Sequence, residues 1–180
     1  MIAFKFLARG GLGPFSSIEW PPAGTWIEVG GPLGLCSRGV HVCRPRDLAH
    51  WLHDELWEVE TGGEELEAID CLVVRRARLL RRIDSWSDGG STRFAEACVA
   101  HAMSLAGSTQ EVTVRELLSD AQGAARAGYP ALSAFTAALV AARLEGESAY
   151  RAERIWQGEW ITRHLIMRPD GDDHPSRTEP

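Results

Sequence analysis

Ser87-Asp88-Gly89-Gly90-Ser91 is the stretch that divides the chain into two kinds of sequence. Small, polar and glycine-rich, it reads as a connector. Before it lie five of the seven tryptophans, most of the glycines and short extended runs; after it the chain is alanine-rich with helical spacing. This places a β-rich domain over residues 1–86, an α-helical extension over 92–168 and a polar, flexible tail over 169–180. The fold class is α+β: a small twisted N-terminal β-sheet with one helix, followed by a C-terminal helical subdomain of about four helices.

Working back from the connector, Cys71–Val74 favours a strand although Leu72, Arg76, Leu79, Leu80 and Ile83 also fit helical spacing, so 68–83 is read as strand. Trp57-Glu58-Val59-Glu60 alternates as a strand and should stop at Gly62-Gly63. Pro45 suits a first helical position. Leu48, Trp51, Leu52 and Leu56 then recur at helical spacing, which predicts a helix with one apolar face on the sheet. Gly39–Cys43, Thr25–Val29 and Ile2–Leu7 read as strands, with residues 8–24 as loop. Forward of the connector, Thr92–Leu105, a helix opened by the Thr113-Val114-Arg115-Glu116 capping box and running to about Arg126, a helix from Pro130 to near Gly146, and one from Glu147 to about Met167 complete the list.

The 180 residues are 44% hydrophobic and 24% charged, which suits a globular chain and excludes a disordered one. A formal charge of -6 argues against a general phosphate-backbone binder, so nucleic acid is not an expected partner. No run approaches the roughly 18 apolar residues of a membrane span. Met1–Leu7 lacks a signal peptide's pattern, so the four cysteines are expected as reduced thiols in a cytoplasmic protein. Lys5 is the only lysine among nineteen lysines and arginines, a bias that with the alanine content points to a GC-rich bacterial genome.

Chemistry concentrates in Leu35-Cys36-Ser37-Arg38-Gly39-Val40-His41-Val42-Cys43. On a strand, Val40 and Val42 face one side while His41 and Cys43 face the other. Both cysteines could be small buried hydrophobes with His41 bonded to a carbonyl. Cys36, His41 and Cys43 could instead begin a zinc site completed by Cys98 or His101, although the spacing is not that of a zinc finger. A third reading puts His41 in a ligand cleft. Around it, Gly10-Gly11-Leu12-Gly13 could form a flexible cover, and Trp20-Pro21-Pro22 could supply an exposed wall. Arg75, Arg76, Arg78, Arg81 and Arg82 read as a solvated face paired with Glu64, Glu65 and Glu67. No Gly-x-Ser-x-Gly or His-Glu-x-x-His pattern occurs, so a serine hydrolase or a zinc protease of those types is not expected.

Lys5 on the first strand, the Leu-Cys-x-x-Gly-Val-His-x-Cys run, the helix after it and the Glu-Val-Glu strand together resemble an uncharacterised domain family of bacterial and phage proteins. There the run usually reads Leu-Cys-x-x-Gly-Phe-His-x-Cys. The resemblance covers about residues 1–85 and implies no established activity. The order Gly39-Val40-His41-Val42, helix, strand is also similar to ADP-ribosyltransferases. That likeness implies NAD as cofactor, His41 where a tyrosine stacks on nicotinamide, Lys5 with Arg9 on or after the first strand, and Glu58 or Glu60 as the stabilising glutamate, although the usual glutamate lies on a later strand. It gives a candidate catalytic set of Lys5, His41, Glu58 and Glu60, and a candidate ligand-binding set of Arg9, Gly11, Trp20 and Cys43. The alternatives are a zinc-binding protein and a non-catalytic accessory protein. The latter would present a partner surface through Trp156, Trp160 or the arginine cluster.

Overall fold

The computed structural model describes residues 1–16, 18–35 and 37–167. Cys36 of the suggested zinc set and the 169–180 tail lie outside the described residues. The order is β1 (Ile2–Leu7), β2 (Ile27–Glu28), β3 (Val40–Val42), a 3-10 helix (Pro45–His50), β4 (Glu55–Glu67) and β5 (Leu72–Arg82). There follow a wide turn over Trp86–Gly90, α1 (Ser91–Ala106), α2 (Val112–Arg126), α3 (Pro130–Glu145) and α4 (Glu147–Ile161), which ends in a second wide turn, Thr162–Ile166. The chain is therefore an α+β protein, with a five-stranded antiparallel sheet followed by four long helices. None of the described helices is long and apolar enough to cross a membrane.

The strands run in the order β1-β4-β5-β2, with β3 also on β5. The ring then closes. Phe4 and Cys43 exchange both backbone hydrogen bonds, at 2.9 and 2.7 Å, so β3 returns to β1 and the sheet curls on itself. Alternation along β1 sorts side chains between two cores. Ala3 and Leu7 turn inward with Val40, Val42, Val59, Leu72, Val74 and Ala77. Phe4 and Phe6 turn outward with Cys43, Leu56, Ile83 and Trp86, and meet Phe94, Cys98, Ala137, Val140 and Ile161 of the helices. The outer core thus spans both halves of the chain.

Several expectations need correction. β4 does not stop at Gly62-Gly63; it continues to Glu67. The register against β5 shifts between Gly62 and Glu65, and Gly63 has φ +80°. A glycine at positive φ accommodates a bulge that bends a strand without ending it. The bend lets Glu65–Glu67 pair with Leu72–Val74, the stretch that also holds β3. The helix expected from Pro45 to Leu56 lasts only six residues. Asp47 takes the Arg44 backbone N–H and its guanidinium, and from Glu55 the backbone is claimed by the ladder with β1. Leu48 and Leu56 share one core, the first from the 3-10 turn and the second from a strand, which mimics helical spacing.

The Thr113 capping box does not form. α2 begins at Val112 after an extended Glu111. The Glu111 carboxylate accepts from Arg143 Nε at 2.6 Å. The 87–91 segment joins β5 to α1 through a turn in which Ser87, Asp88 and Gly89 are exposed and Gly90 is buried, directly after a packed Trp86. Trp86 is 1% exposed, donates through Nε1 to His53 O at 2.8 Å, and lies edge-on to Phe6 and tilted against Phe94.

The helices approach closely because their contact faces are small. α3 buries Ser133, Ala134, Thr136, Ala137, Ala138 and Ala141. Ser133 Oγ donates to Ala121 O at 3.1 Å, tying α3 to α2. α4 lies on the 3-10 helix at Gly158, where a Cβ would collide with the carbonyls of Pro45 and Arg46. Buried Arg154 reaches Ala49 O and Gln157 there.

Candidate functional site

The inner face of the sheet is not filled. Against it lies a cavity of about 930 Å³, roofed by the loops before β2 and β3 and by the β4–β5 turn. No residue of α1–α4 lines it. Four of the residues read from the sequence meet here: Lys5 from β1, Trp20 from the first loop, and His41 and Cys43 from β3 and its end. The register of each is fixed locally. Lys5 lies between Ala3 and Leu7, on the inward face of β1, opposite Trp57. Gly39, at φ +137°, starts β3 where any Cβ would strike Val73, so the turn into the strand requires glycine. Trp20 is pinned by its N–H to Gly11 O at 3.0 Å, and Gly11 sits in a tight turn closed by the Ala8–Leu12 bridge.

β1 and β3 are bridged at Phe4–Cys43 and then diverge. Lys5 spans the gap: its Nζ donates to His41 O at 2.7 Å and stands 5.3 Å from the centre of the Trp20 ring. Burial holds the Lys5 ammonium below the ordinary lysine range, with the Cys43 and Cys71 thiols acting the other way. The His41 imidazole is half-buried, and burial followed by the neighbouring Lys5 charge lowers its pKa. Cys43 is pushed far up by burial, so its thiol stays protonated and acts as wall rather than nucleophile.

The rest of the wall is apolar. Ile27, Val29, Val40 and Val42 contribute, and exposed Phe15, Ile18, Leu35 and Ile69 stand around it. Sequence reasoning passed over Asp70 and Phe15 and left Trp51 among several tryptophans. Trp51 Nε1 donates to Asp70 O at 2.7 Å, and Phe15 lies edge-on to Trp51 at 5.8 Å. The signal for Phe15 was a large aromatic in a glycine-bounded loop. Asp70 carried none, because a turn aspartate is ordinary.

No protein family, curated protein or solved structure matches this chain. The remaining candidates lie elsewhere. Glu58 and Glu60 do not line the cavity; they pair with Arg81 at 2.9 Å and Arg78 at 2.6 Å. Arg9 lines a second cavity with Asp54, Glu55 and Arg82, and its backbone N–H bonds to Asp54. Among the described residues no three His, Cys, Asp or Glu side chains gather as a metal site. His101 stacks on Trp156 at 3.9 Å and bonds to Glu153 at 2.7 Å, while Cys98 is sealed in the outer core.

The arginine cluster is paired, with partners that differ in part from those expected. Arg75 meets Glu64, Arg78 meets Glu60, Arg81 meets Glu58, and Arg82 meets Asp84. Arg76 and Arg78 lie over the Trp26 ring, each 4.8 Å from its centre.

Proposed function

We propose that this protein binds a small, mostly apolar molecule in the sheet cavity, with one oxygen-bearing head group against Lys5. The observation that carries the reading is a roomy apolar cavity with a single ammonium on its wall. Ligand sites of roughly 300–1,000 Å³ with few polar groups are the common form of small-molecule pocket. Lys5 uses one N–H on His41 O, which leaves donors for a ligand. Trp20, Trp51 and Phe15 offer ring faces and edges for an apolar body.

NAD held around His41 for ADP-ribosyl transfer is the competing form of this proposal. A dinucleotide brings two phosphates, and Lys5 is the one lysine or arginine among the described lining residues. Glu58 and Glu60, which would serve the transfer, are engaged by arginines. Both considerations favour the apolar ligand. The reading takes the protein as cytoplasmic, where the buried Cys43 and Cys98 thiols stay reduced.

Calorimetric titration tests it with three probes: decanol, decanoate and NAD. Decanol or decanoate should bind saturably, with a dissociation constant of about 10 µM or tighter. Lys5→Met should weaken decanoate by at least about tenfold, since hydrogen bonds to charged groups contribute about 1.5–3 kcal/mol. Heat from NAD alone would replace this reading with the nucleotide one. No heat from any probe would overturn both.

A further inference from the structure

We propose that Lys5 forms a reversible covalent bond: its Nζ condenses with an apolar aldehyde in the sheet cavity, giving a protonated imine held between the His41 carbonyl and the Trp20 ring. The inference rests on the small-molecule reading above and names the ligand class.

Three observations converge on it. Lys5 is the only lysine of a chain with eighteen arginines, and it stands on the cavity wall rather than the surface. Arginine holds its proton under all ordinary conditions, whereas lysine can release one and act as a nucleophile. The surroundings of Nζ also suit the product. A protonated imine keeps a single N–H, and His41 O, at 2.7 Å, is placed to accept it. Its positive charge would face the Trp20 ring, as the ammonium does now. By contrast, among the described residues no arginine lines this cavity to pair a carboxylate in a two-pronged fashion.

Burial lowers the pKa of Lys5, which raises the share of neutral amine. His41 lines the same cavity, and burial and the Lys5 charge lower its pKa, so its ring adds no second cation beside Nζ.

The step balances without oxidant or reductant. The ammonium gives one proton to solvent water. The freed lone pair attacks the aldehyde carbon, and the carbonyl π pair moves to oxygen. The new nitrogen loses one proton to that oxygen, giving a neutral carbinolamine. Solvent returns a proton to the hydroxyl, the C–O bond breaks, and water departs as the nitrogen lone pair forms C=N. Ammonium and aldehyde thus give protonated imine and water.

The wild-type protein supplies the test. It is incubated with decanal and sodium cyanoborohydride near neutral pH, and the adduct is located by tandem mass spectrometry. The chain has only two aliphatic amines, Lys5 and the Met1 α-amino group, so the second is an internal reference. The expected result is at least about tenfold more adduct on Lys5 than on Met1, suppressed by excess decanol. Lys5→Arg, checked for native circular dichroism, should leave only the Met1 adduct. Labelling of Lys5 no greater than Met1, with decanol still binding saturably, would overturn the covalent step and leave the cavity reading standing. No labelling preference and no decanol binding would overturn both.

Discussion

The two faces of the curled sheet use the same strands for opposite ends. Outward, Phe4 and Phe6 of β1 interlock with Trp86, Phe94 and the small-residue faces of the helices, and large side chains fill the space. Inward, the alternate positions of β1 are Ala3, Lys5 and Leu7, and beyond the packed inner core the space stays open. A globular interior is normally packed as densely as an organic crystal. The contrast teaches a division of labour: the helical half supplies stability through the outer face, which frees the inner face from being filled.

The largest expected effect tests the outer face. Trp86→Ala removes the ring that joins Phe6 to Phe94 and should cost about 3–5 kcal/mol in urea unfolding. A loss below about 1 kcal/mol would break the claim that this face holds the halves together. Next, Gly158→Val forces a branched side chain against the Pro45 and Arg46 carbonyls. It should cost about 1–3 kcal/mol by the same measurement.

A smaller effect probes the inner face by pH. The folded-state pKa of Lys5 lies below the ordinary value of 10.5, so between the two the unfolded chain binds more protons. Wild-type stability relative to Lys5→Met should therefore rise as pH increases towards 10.5. Paired denaturation curves at neutral and alkaline pH would show it, and a flat difference would refute the buried-ammonium account. The smallest effect is outside both cores: Arg81→Ala breaks a half-exposed pair with Glu58 and should change stability by no more than about 0.5 kcal/mol.

The sequence made the fold class readable because its two halves differ in kind. Helix α3 followed from Pro130 and Gly146, and β1 from Ile2–Leu7. It misled where tertiary pairing overrode local pattern. Gly62-Gly63 reads as a stop, yet the partner strand carries β4 through a bulge. Leu48 to Leu56 reads as one helix, yet Leu56 belongs to the ladder with Phe6. Within the site, the unusual His41-Val42-Cys43 run and lone Lys5 were legible as types. That Lys5, His41 and Cys43 line one hollow, and that Glu58 and Glu60 do not, depends on the curl of the sheet, which no local spacing encodes.

The alternation on β1 also guards against misalignment. Sliding β1 by one residue against β4 would turn Phe4 and Phe6 to the inner face and drive the Lys5 ammonium among the aromatic rings beneath the helices. That arrangement exposes two rings and strands a charge in oil. The lysine thus penalises the neighbouring alignment and helps the long-range β1–β4 pair discard it during folding.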